Sequence, residues 1–275
     1  MRVVLLSLLS FIFSTNMSPQ SEQEWFPKDF NIQPFKANFI EPKAGFHFMP
    51  DIDKVQLDIG TSTDILHIIE NDKVISFGVD VFTYTRLRSQ NDFKFPVETV
   101  DYLFGLNAGY KIIDGNRTYG FRFRLSHISA HLVDGQYDES QQQWLENRKP
   151  FVFSKEFVEF FPFYSWERLR VYAGVSYLFH VIPEEIGKGI YQLGFDYYPC
   201  LFNTEKINPF IAYDFKISKI EKHIANHIIS AGIKFGNFDS KGFSIILSYY
   251  SGKSIHGELF DLSEKYSSLG FNFDL

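Results

Sequence analysis

The sequence has little cysteine: one residue, Cys200, in a chain of 275. A single thiol excludes an intramolecular disulfide, so packing and hydrogen bonds have to hold the fold. Because free cysteine is among the most buried residue types, we expect the side chain of Cys200 to be buried.

A surplus of positive charge is also missing. The chain carries 27 Lys and Arg against 33 Asp and Glu, a formal net charge of -6, and no basic stripe runs along it. A nucleic-acid-binding protein would show the opposite balance, so the composition argues against that class. His47, His67 and His180 are scattered without the spacing of metal ligands, and we expect no metal site from them.

Long apolar runs are confined to the amino terminus. Val3–Phe13 is an apolar stretch behind the single positive charge of Arg2, and small and polar residues follow it. This pattern predicts a cleaved signal peptide over residues 1–18. No later run approaches the roughly 20 residues that a membrane-spanning helix needs. We therefore expect an exported chain without helical spans.

Aromatic residues, by contrast, are abundant, with 32 Phe and 15 Tyr. They alternate with polar residues, which is the period of a half-buried strand. The clearest alternating segments are 75–87, 100–112, 169–181, 191–197, 211–217, 229–235, 243–249 and 269–275. We expect about twelve strands, many of them long enough for a tilted crossing of a bilayer.

The two faces of these strands predict an all-β fold, an antiparallel transmembrane β-barrel of the outer-membrane type. One face is nearly free of charge and rich in Phe and Tyr, and the other carries Gly, Ser and charges of both signs. Alternation fixes the period but not which face points inward. We expect the apolar faces to meet lipid. The alternative is an exported soluble barrel that binds an apolar ligand inside.

Turn and loop signals divide the mature chain. Proline recurs between residues 19 and 43, which indicates an extended periplasmic lead-in, and residues 44–275 then form a single barrel domain. Short breaks fall at 114–116, near 167 and at 239–241. Longer connections alternate with them, at 89–99, 133–151, 182–188 and 252–263. Such alternation is typical of barrels with short periplasmic turns and longer external loops.

Four arginines fall on the charged faces of strands that could be neighbours: Arg122, Arg124, Arg168 and Arg170. If these faces line the lumen, the guanidinium groups could bind an anion or line a narrow solute path. The alternative is a filled interior in which Asp side chains neutralise them. A barrel of about twelve strands has a lumen that side chains can largely fill.

One strand carries polar residues on its aromatic face. Within Tyr119–Leu132, the side chains of His127, Ser129 and His131 follow the phase of the apolar residues. A His and a Ser two positions apart share a face, with Cβ atoms about 7 Å apart. His127 can then act as general base for Ser129 as nucleophile. Alternatively, these side chains lie at headgroup level, where polar groups cost little.

Three segments resemble an uncharacterised family of exported bacterial proteins, a domain of unknown function. They are residues 93–105, residues 124–134 with the pattern Leu-Ser-His-x-Ser-x-His-Leu-x-Asp, and residues 254–258. The resemblance implies an outer-membrane-type barrel in a Gram-negative host, with no known activity. The closing alternation also looks like the signal read by the barrel-assembly machinery, although that signal usually ends in an aromatic residue and this chain ends in Leu275.

The His-x-Ser pair resembles, more remotely, outer-membrane phospholipase A and the lipid A deacylase. These families carry His-x-Ser on an outward-facing strand, with an Asn or Glu further on that orients the His. The resemblance implies His127 as base and Ser129 as nucleophile, whereas Ala130 stands where those families carry Asn. The candidates for a third member are His131, Glu139, Gln141 and Asn147. By the same analogy, calcium could bind Asp134, Asp138 and Glu139.

The sequence therefore leaves three functions open. We favour a structural or narrow-channel role in the outer membrane. The first alternative is a lipid acyl hydrolase that uses Ser129 and His127, and the second is the soluble ligand-binding barrel. The expected partners are outer-membrane lipids and the barrel-assembly machinery, with no nucleic acid and no cofactor other than calcium for a hydrolase.

Overall fold

The computed structural model describes residues 21–202, 204, 206–220 and 222–274. The predicted signal peptide lies outside these residues. The described part contains fifteen strands: β1 (Glu22–Trp25), β2 (Ala44–Met49), β3 (Lys54–Glu70), β4 (Lys73–Arg88), β5 (Val97–Asp114), β6 (Arg117–Leu132), β7 (Tyr137–Asp138), β8 (Gln143–Trp144), β9 (Phe153–Trp166), β10 (Leu169–Ile182), β11 (Gly189–Tyr197), β12 (Ile207–Ile220), β13 (Lys222–Phe235), β14 (Gly242–Lys253) and β15 (Ser263–Asp274).

Twelve of these strands form one closed antiparallel barrel, which confirms the predicted fold class. Each strand pairs with its neighbour in the chain, except that β6 pairs with β9 across the small β7–β8 hairpin. The short strand β2 closes the barrel, because it pairs with β15 on one side and with β3 on the other. Among the described residues, no helix is long and apolar enough to cross a membrane.

The barrel turns its apolar faces outward. On β5 and β6, for example, Phe104, Leu106 and Phe123 are exposed, whereas Asp101 and Arg124 are almost fully buried. An outward apolar belt around a lumen that holds the buried charges is the arrangement of a membrane barrel and the inverse of a soluble one. The alternative of a soluble barrel with an apolar cavity is therefore wrong.

The connections separate into two ends, as the loop lengths predict. Two-residue turns join β3 to β4, β5 to β6 and β9 to β10, and we call this the short-turn end. The longer segments 89–96, 133–152, 183–188 and 254–262 gather at the opposite, long-loop end. The rule has exceptions: residues 198–206 form a longer connection at the short-turn end, and β12 and β13 are joined at the long-loop end by a single residue.

The prediction for residues 19–43 needs a correction. The segment is extended, but residues 30–41 lie inside the barrel instead of outside it. Phe35 is completely buried and stacks on the lumenal Tyr172 at a ring-centroid distance of 4.1 Å. Asn31 donates its backbone hydrogen bond to lumen-facing Asp64 at 2.8 Å. Polar lumen walls give this proline-containing segment the hydrogen-bond partners that a regular element would otherwise supply.

A second segment closes the lumen from the long-loop end. Residues 254–259 fold inward, and Asp101 accepts hydrogen bonds from His256 Nδ1 at 2.8 Å and from the Gly257 backbone at 2.7 Å. Gly257 packs so closely on Phe153 and Ala130 that a Cβ would lie 2.7 Å from the Cβ of Ala130. The three segments that carry the family resemblance thus contribute residues to one place, the cap of the lumen.

The environment of the single cysteine also differs from the prediction. Cys200 is exposed, in the 198–206 connection at the short-turn end. Its neighbours Leu201 and Phe202 are exposed as well. Because this connection lies at the surface, no apolar core surrounds Cys200, and the average preference of cysteine for burial does not apply.

Candidate functional site

The site starts from the alternation of β6. Ser126, Ile128 and Ala130 are buried toward the lumen, so His127 and Ser129 between them face outward. His131 follows on the same face and is exposed. All three lie within six residues of the end of the strand, next to the long connection 133–152. The structure thus places all three side chains on the outward face, as the sequence predicts.

A carboxylate on the neighbouring strand reaches His127. Glu156 on β9 is the direct cross-strand partner of His127, and its Oε1 lies 2.7 Å from His127 Nδ1. Two pairs further along, Ser129 stands opposite Ser154, whose hydroxyl donates to the same Oε1 at 3.1 Å. We call these four residues the outer cluster: His127, Glu156 and Ser154 share hydrogen bonds, and Ser129 lies beside them on the same outward face.

Glu156 was not among the third members that the sequence suggested, and His131, which was, contacts the ring of Tyr102 instead. Glu139, Gln141 and Asn147 are exposed residues of the 133–152 connection, and among the described residues none of them bonds to His127. Sequence reasoning missed Glu156 because the phase of β9 was not assigned. The sequence did offer one signal: Glu156 is an even number of residues from Phe160, so this acidic residue shares the outward face of Phe160.

A second histidine approaches the same carboxylate from the other side. His180 on β10 is the cross-strand partner of Glu156, and its Nδ1 bonds to Glu156 Oε2. Strict alternation places His180 on the polar, inward face, and this is wrong. The pairing register shifts between Leu178 and His180, so that Phe179 and His180 both face outward. Such β-bulges re-aim side chains and are frequent beside active sites.

The hydrogen bonds fix how the imidazole of His127 can act. An ionised carboxylate only accepts, so the Nδ1 atom that meets Glu156 carries the hydrogen. The Nε2 atom is then unprotonated and available as a base. In this arrangement the carboxylate orients the ring and stabilises the imidazolium once it forms, as in a hydrolase triad.

An apolar groove leads to the cluster along the outer surface. Its outward-facing walls are Val81 on β4, Phe104 and Leu106 on β5, Leu125 on β6 and Phe179 on β10, with His127 and Glu156 at one side. Adjacent side chains in the groove come from four different strands. A groove of this chemistry can hold a hydrocarbon chain beside the polar cluster.

The four lumen arginines bind residues of the chain itself. Arg122 holds Glu41 of the inner segment through both guanidinium nitrogens, one at 2.7 Å. Arg124 contacts Asp80 at 2.8 Å and also Glu41 and Glu159. Arg170 pairs with Asp196 at 2.9 Å and donates to two backbone carbonyls of the inner segment, whereas Arg168 donates to Asn208. Each of the four guanidinium groups already bonds to the chain itself, which is the geometry of the filled interior.

The described residues contain no group of three or more His, Cys, Asp or Glu side chains arranged to hold a metal ion. Asp138 is occupied within its own turn, where its carboxylate accepts hydrogen bonds from the backbone and hydroxyl of Ser140. These bonds lower the pKa of Asp138. Asp134 and Glu139 are exposed in the same connection.

Solved structures of similar fold are outer-membrane barrels. Outer membrane phospholipase A from Escherichia coli has a TM-score of 0.53 and 10% identity, over 88% of this chain and 94% of that one. OmpT of Vibrio cholerae has a TM-score of 0.38 at 7% identity, over 94% and 98%. The translocator domain of autotransporter NalP from Neisseria meningitidis has a TM-score of 0.33 at 8% identity, over 100% and 95%.

At such low identity the first of these likenesses shows the outer-membrane barrel fold and nothing further. No curated protein matches the chain in sequence. A family model described as a protein of unknown function, DUF1207, matches residues 99–275. This range takes in β6, β9 and β10, and therefore the whole outer cluster.

Proposed function

Since the chain belongs to the DUF1207 family of proteins of unknown function, we propose its function from its own geometry: it is an outer-membrane lipid acyl hydrolase. The observation that carries the proposal is the 2.7 Å contact of His127 Nδ1 with Glu156 on the outer surface, two residues from Ser129. Ser129 is the nucleophile, His127 the base and Glu156 the residue that orients the base.

The filled lumen supports a surface activity over a channel. The inner segment and the 254–259 cap are both buried within the barrel, and three of the four lumen arginines, Arg122, Arg124 and Arg170, pair with carboxylates of the chain. A solute path would need both segments to leave. The outer cluster needs no such movement, because it already faces the lipid.

The reaction divides into two acyl transfers. His127 Nε2 removes the proton of Ser129 as the Oγ attacks the ester carbonyl carbon, and the imidazolium then protonates the leaving alkoxide as the C–O bond breaks. Water attacks the acyl-enzyme in the same way: His127 takes its proton, and the fatty acid leaves as Ser129 recovers its hydrogen. Glu156 stays ionised throughout and stabilises the imidazolium.

The position of the cluster suits a lipid ester. A phospholipid or lipid A molecule carries its ester bonds at the boundary between headgroup and hydrocarbon, and the cluster lies near the strand ends of the long-loop end. The apolar groove beside it would take the acyl chain, and the lipid would enter sideways from the membrane. Ser154, opposite Ser129, donates its hydroxyl hydrogen to Glu156 and so helps to hold the carboxylate that orients His127.

The test is fatty-acid release from outer-membrane lipids by the purified, folded protein, with and without calcium. We expect the wild-type chain to release fatty acid, and Ser129→Ala and Glu156→Gln to lower the rate by about 100-fold or more. His131→Gln is the matched control, since His131 shares the face and the strand but has no carboxylate partner among the described residues. Ser154→Ala should lower the rate and leave the KM unchanged.

Release that survives Ser129→Ala would remove the proposed nucleophile. The absence of release from wild-type protein in every lipid, with calcium present, would leave the outer cluster as an interfacial hydrogen-bond network. In both cases the barrel is checked for folding by its resistance to heat in detergent, so that loss of structure is not mistaken for loss of chemistry.

A further inference from the structure

Most lumenal cations in this barrel have a carboxylate partner. Lys36 pairs with Asp274 at 2.6 Å, and Lys54 pairs with Glu98 at 2.6 Å. Lys111 and Arg168 have no carboxylate partner among the described residues, but each donates a hydrogen bond to an oxygen of the chain. Removing a charge from water is costly unless it is paired or hydrogen-bonded, so such pairing is expected.

Two lysines depart from this pattern. Lys155 on β9 and Lys216 on β12 face the upper lumen, and among the described residues neither ammonium group has a carboxylate within 4.0 Å or donates a hydrogen bond. Both ammonium groups lie over aromatic rings: Lys216 Nζ lies 4.8 Å from the centre of Phe39, and Lys155 Nζ lies 5.8 Å from that of Phe157.

The nearest carboxylates are already occupied. Asp101 and Glu159 both face Lys155, but Asp101 accepts hydrogen bonds from His256 and Gly257 of the cap. Glu159 pairs with Arg124 and accepts from Ser176. Asp214 attracts Lys216, but it accepts its hydrogen bonds from Tyr172 and Gln192. Lys155 and Lys216 repel each other. The upper lumen therefore holds two ammonium groups that form no direct ion pair with a described residue.

Both lysines line one cavity of about 100 Å³ between the inner segment and the cap. The polar part of its wall includes Ser218 and Asn226. The opposite part is aliphatic, with Leu178, Ile186 and Ile190. Glu159 also lines the cavity, where Arg124 and Ser176 hold its carboxylate. The cavity thus combines an apolar wall with two ammonium groups that form no direct ion pair.

We propose that this cavity is a binding site for a short aliphatic carboxylate, with Lys155 and Lys216 as the two cations that hold the anionic group. The carboxylate forms the direct ion pair that both lysines lack, and its short chain packs on the aliphatic wall. A charge-assisted pair with two ammonium groups in a low-dielectric lumen binds more strongly than the same pair in water. The site lies inside the barrel and does not depend on the hydrolase activity.

The experiment is calorimetric titration of the full-length protein in detergent with sodium butyrate, beside butanol as the neutral analogue. We expect one butyrate per chain and no saturable binding of butanol. Lys155→Met and Lys216→Met should each weaken butyrate at least about tenfold. Lys219→Met is the matched control, because Lys219 lies on the same strand as Lys216 but is exposed, and its affinity should equal that of wild type.

Thermal unfolding gives the second measurement. Butyrate should raise the Tm of wild-type protein, since a ligand that binds only the folded state stabilises it. Without ligand, Lys155→Met and Lys216→Met should be at least as stable as wild type, because each removes a charge from the lumen that has no direct ion pair. The proposal would be overturned if wild-type protein showed no saturable binding of butyrate, or if both methionine variants bound butyrate with the affinity of wild type. So would a strong loss of stability in the ligand-free variants, which would show that the lysines have partners within the protein.

Discussion

The ion pair that anchors the inner segment gives a quantitative prediction. Glu41 is buried to 3% exposure and bridges Arg122 and Arg124. Glu41→Ala leaves Arg124 with Asp80 and Glu159, but it leaves Arg122 with no carboxylate among the described residues. One buried guanidinium then keeps its charge without a partner. Breaking a buried pair in this way costs about 3–5 kcal/mol.

The structure also provides a compensated variant. Arg122 has Glu41 as its only carboxylate partner among the described residues, and its other contacts are the rings of Phe35 and Phe161. Glu41→Leu combined with Arg122→Leu removes both charges together, and it should restore stability to near the wild-type value. Glu139→Ala, at an exposed position, should change it by less than about 0.5 kcal/mol.

The assay is urea unfolding of the barrel in lipid vesicles, followed by tryptophan fluorescence, with circular dichroism as a second probe. Glu41→Ala should lower the free energy of unfolding by the stated amount, and the double leucine variant should not. A loss below about 1 kcal/mol for Glu41→Ala would refute the reasoning, since Arg122 would then find water or another partner. Equal losses in the single and double variants would refute it as well, because charge pairing would not be the cause.

Two further predictions concern the cap. Burial raises the pKa of Glu258 from its ordinary 4.5 to about 7, so the folded cap favours the protonated acid. The contribution of the protonated Glu258 to stability is therefore complete below pH 4.5 and is lost as the pH rises to about 7. The free energy of unfolding falls over this range by at most about 1.4 kcal/mol per pH unit. The free energy of unfolding, measured across this pH range, should fall with pH in wild type and stay constant in Glu258→Gln. The same slope in both proteins would contradict the prediction. Gly257→Ala forces a Cβ against Phe153 and Ala130, and it should destabilise the barrel by about 1–3 kcal/mol. A thermal melt measures this as a lower Tm. A Tm unchanged from wild type would mean that the cap can move to make room for the added methyl group.

The outward-facing half of the site could be predicted from local pattern. His127, Ser129 and His131 follow Leu125 at even spacing, and a regular strand keeps them on one face. The partner Glu156 could not be predicted in the same way. It is 29 residues further along, beyond a long connection, and only the pairing register of β6 with β9 brings it opposite His127.

His180 shows a second limit of the pattern. Alternation along β10 assigns it to the lumen, and the bulge after Leu178 turns it outward. A bulge adds one residue to one strand, and it arises from how two strands fit together across the barrel wall. The sequence of one strand does not contain that information, so a single register shift reverses the face of every residue beyond it.

The sequence by itself determined the class of the barrel: about twelve strands, their order along the chain, which residues of most strands share a face, and the division into short turns and long loops. These are local properties, because period and turn preference depend on neighbouring residues. Only the tertiary structure decided that residues 30–41 fill the lumen, that the 254–259 segment caps it, and that Glu156 meets His127. Each of these depends on contacts between residues far apart in the chain, which form only when β2 joins β15 to β3 and the barrel closes.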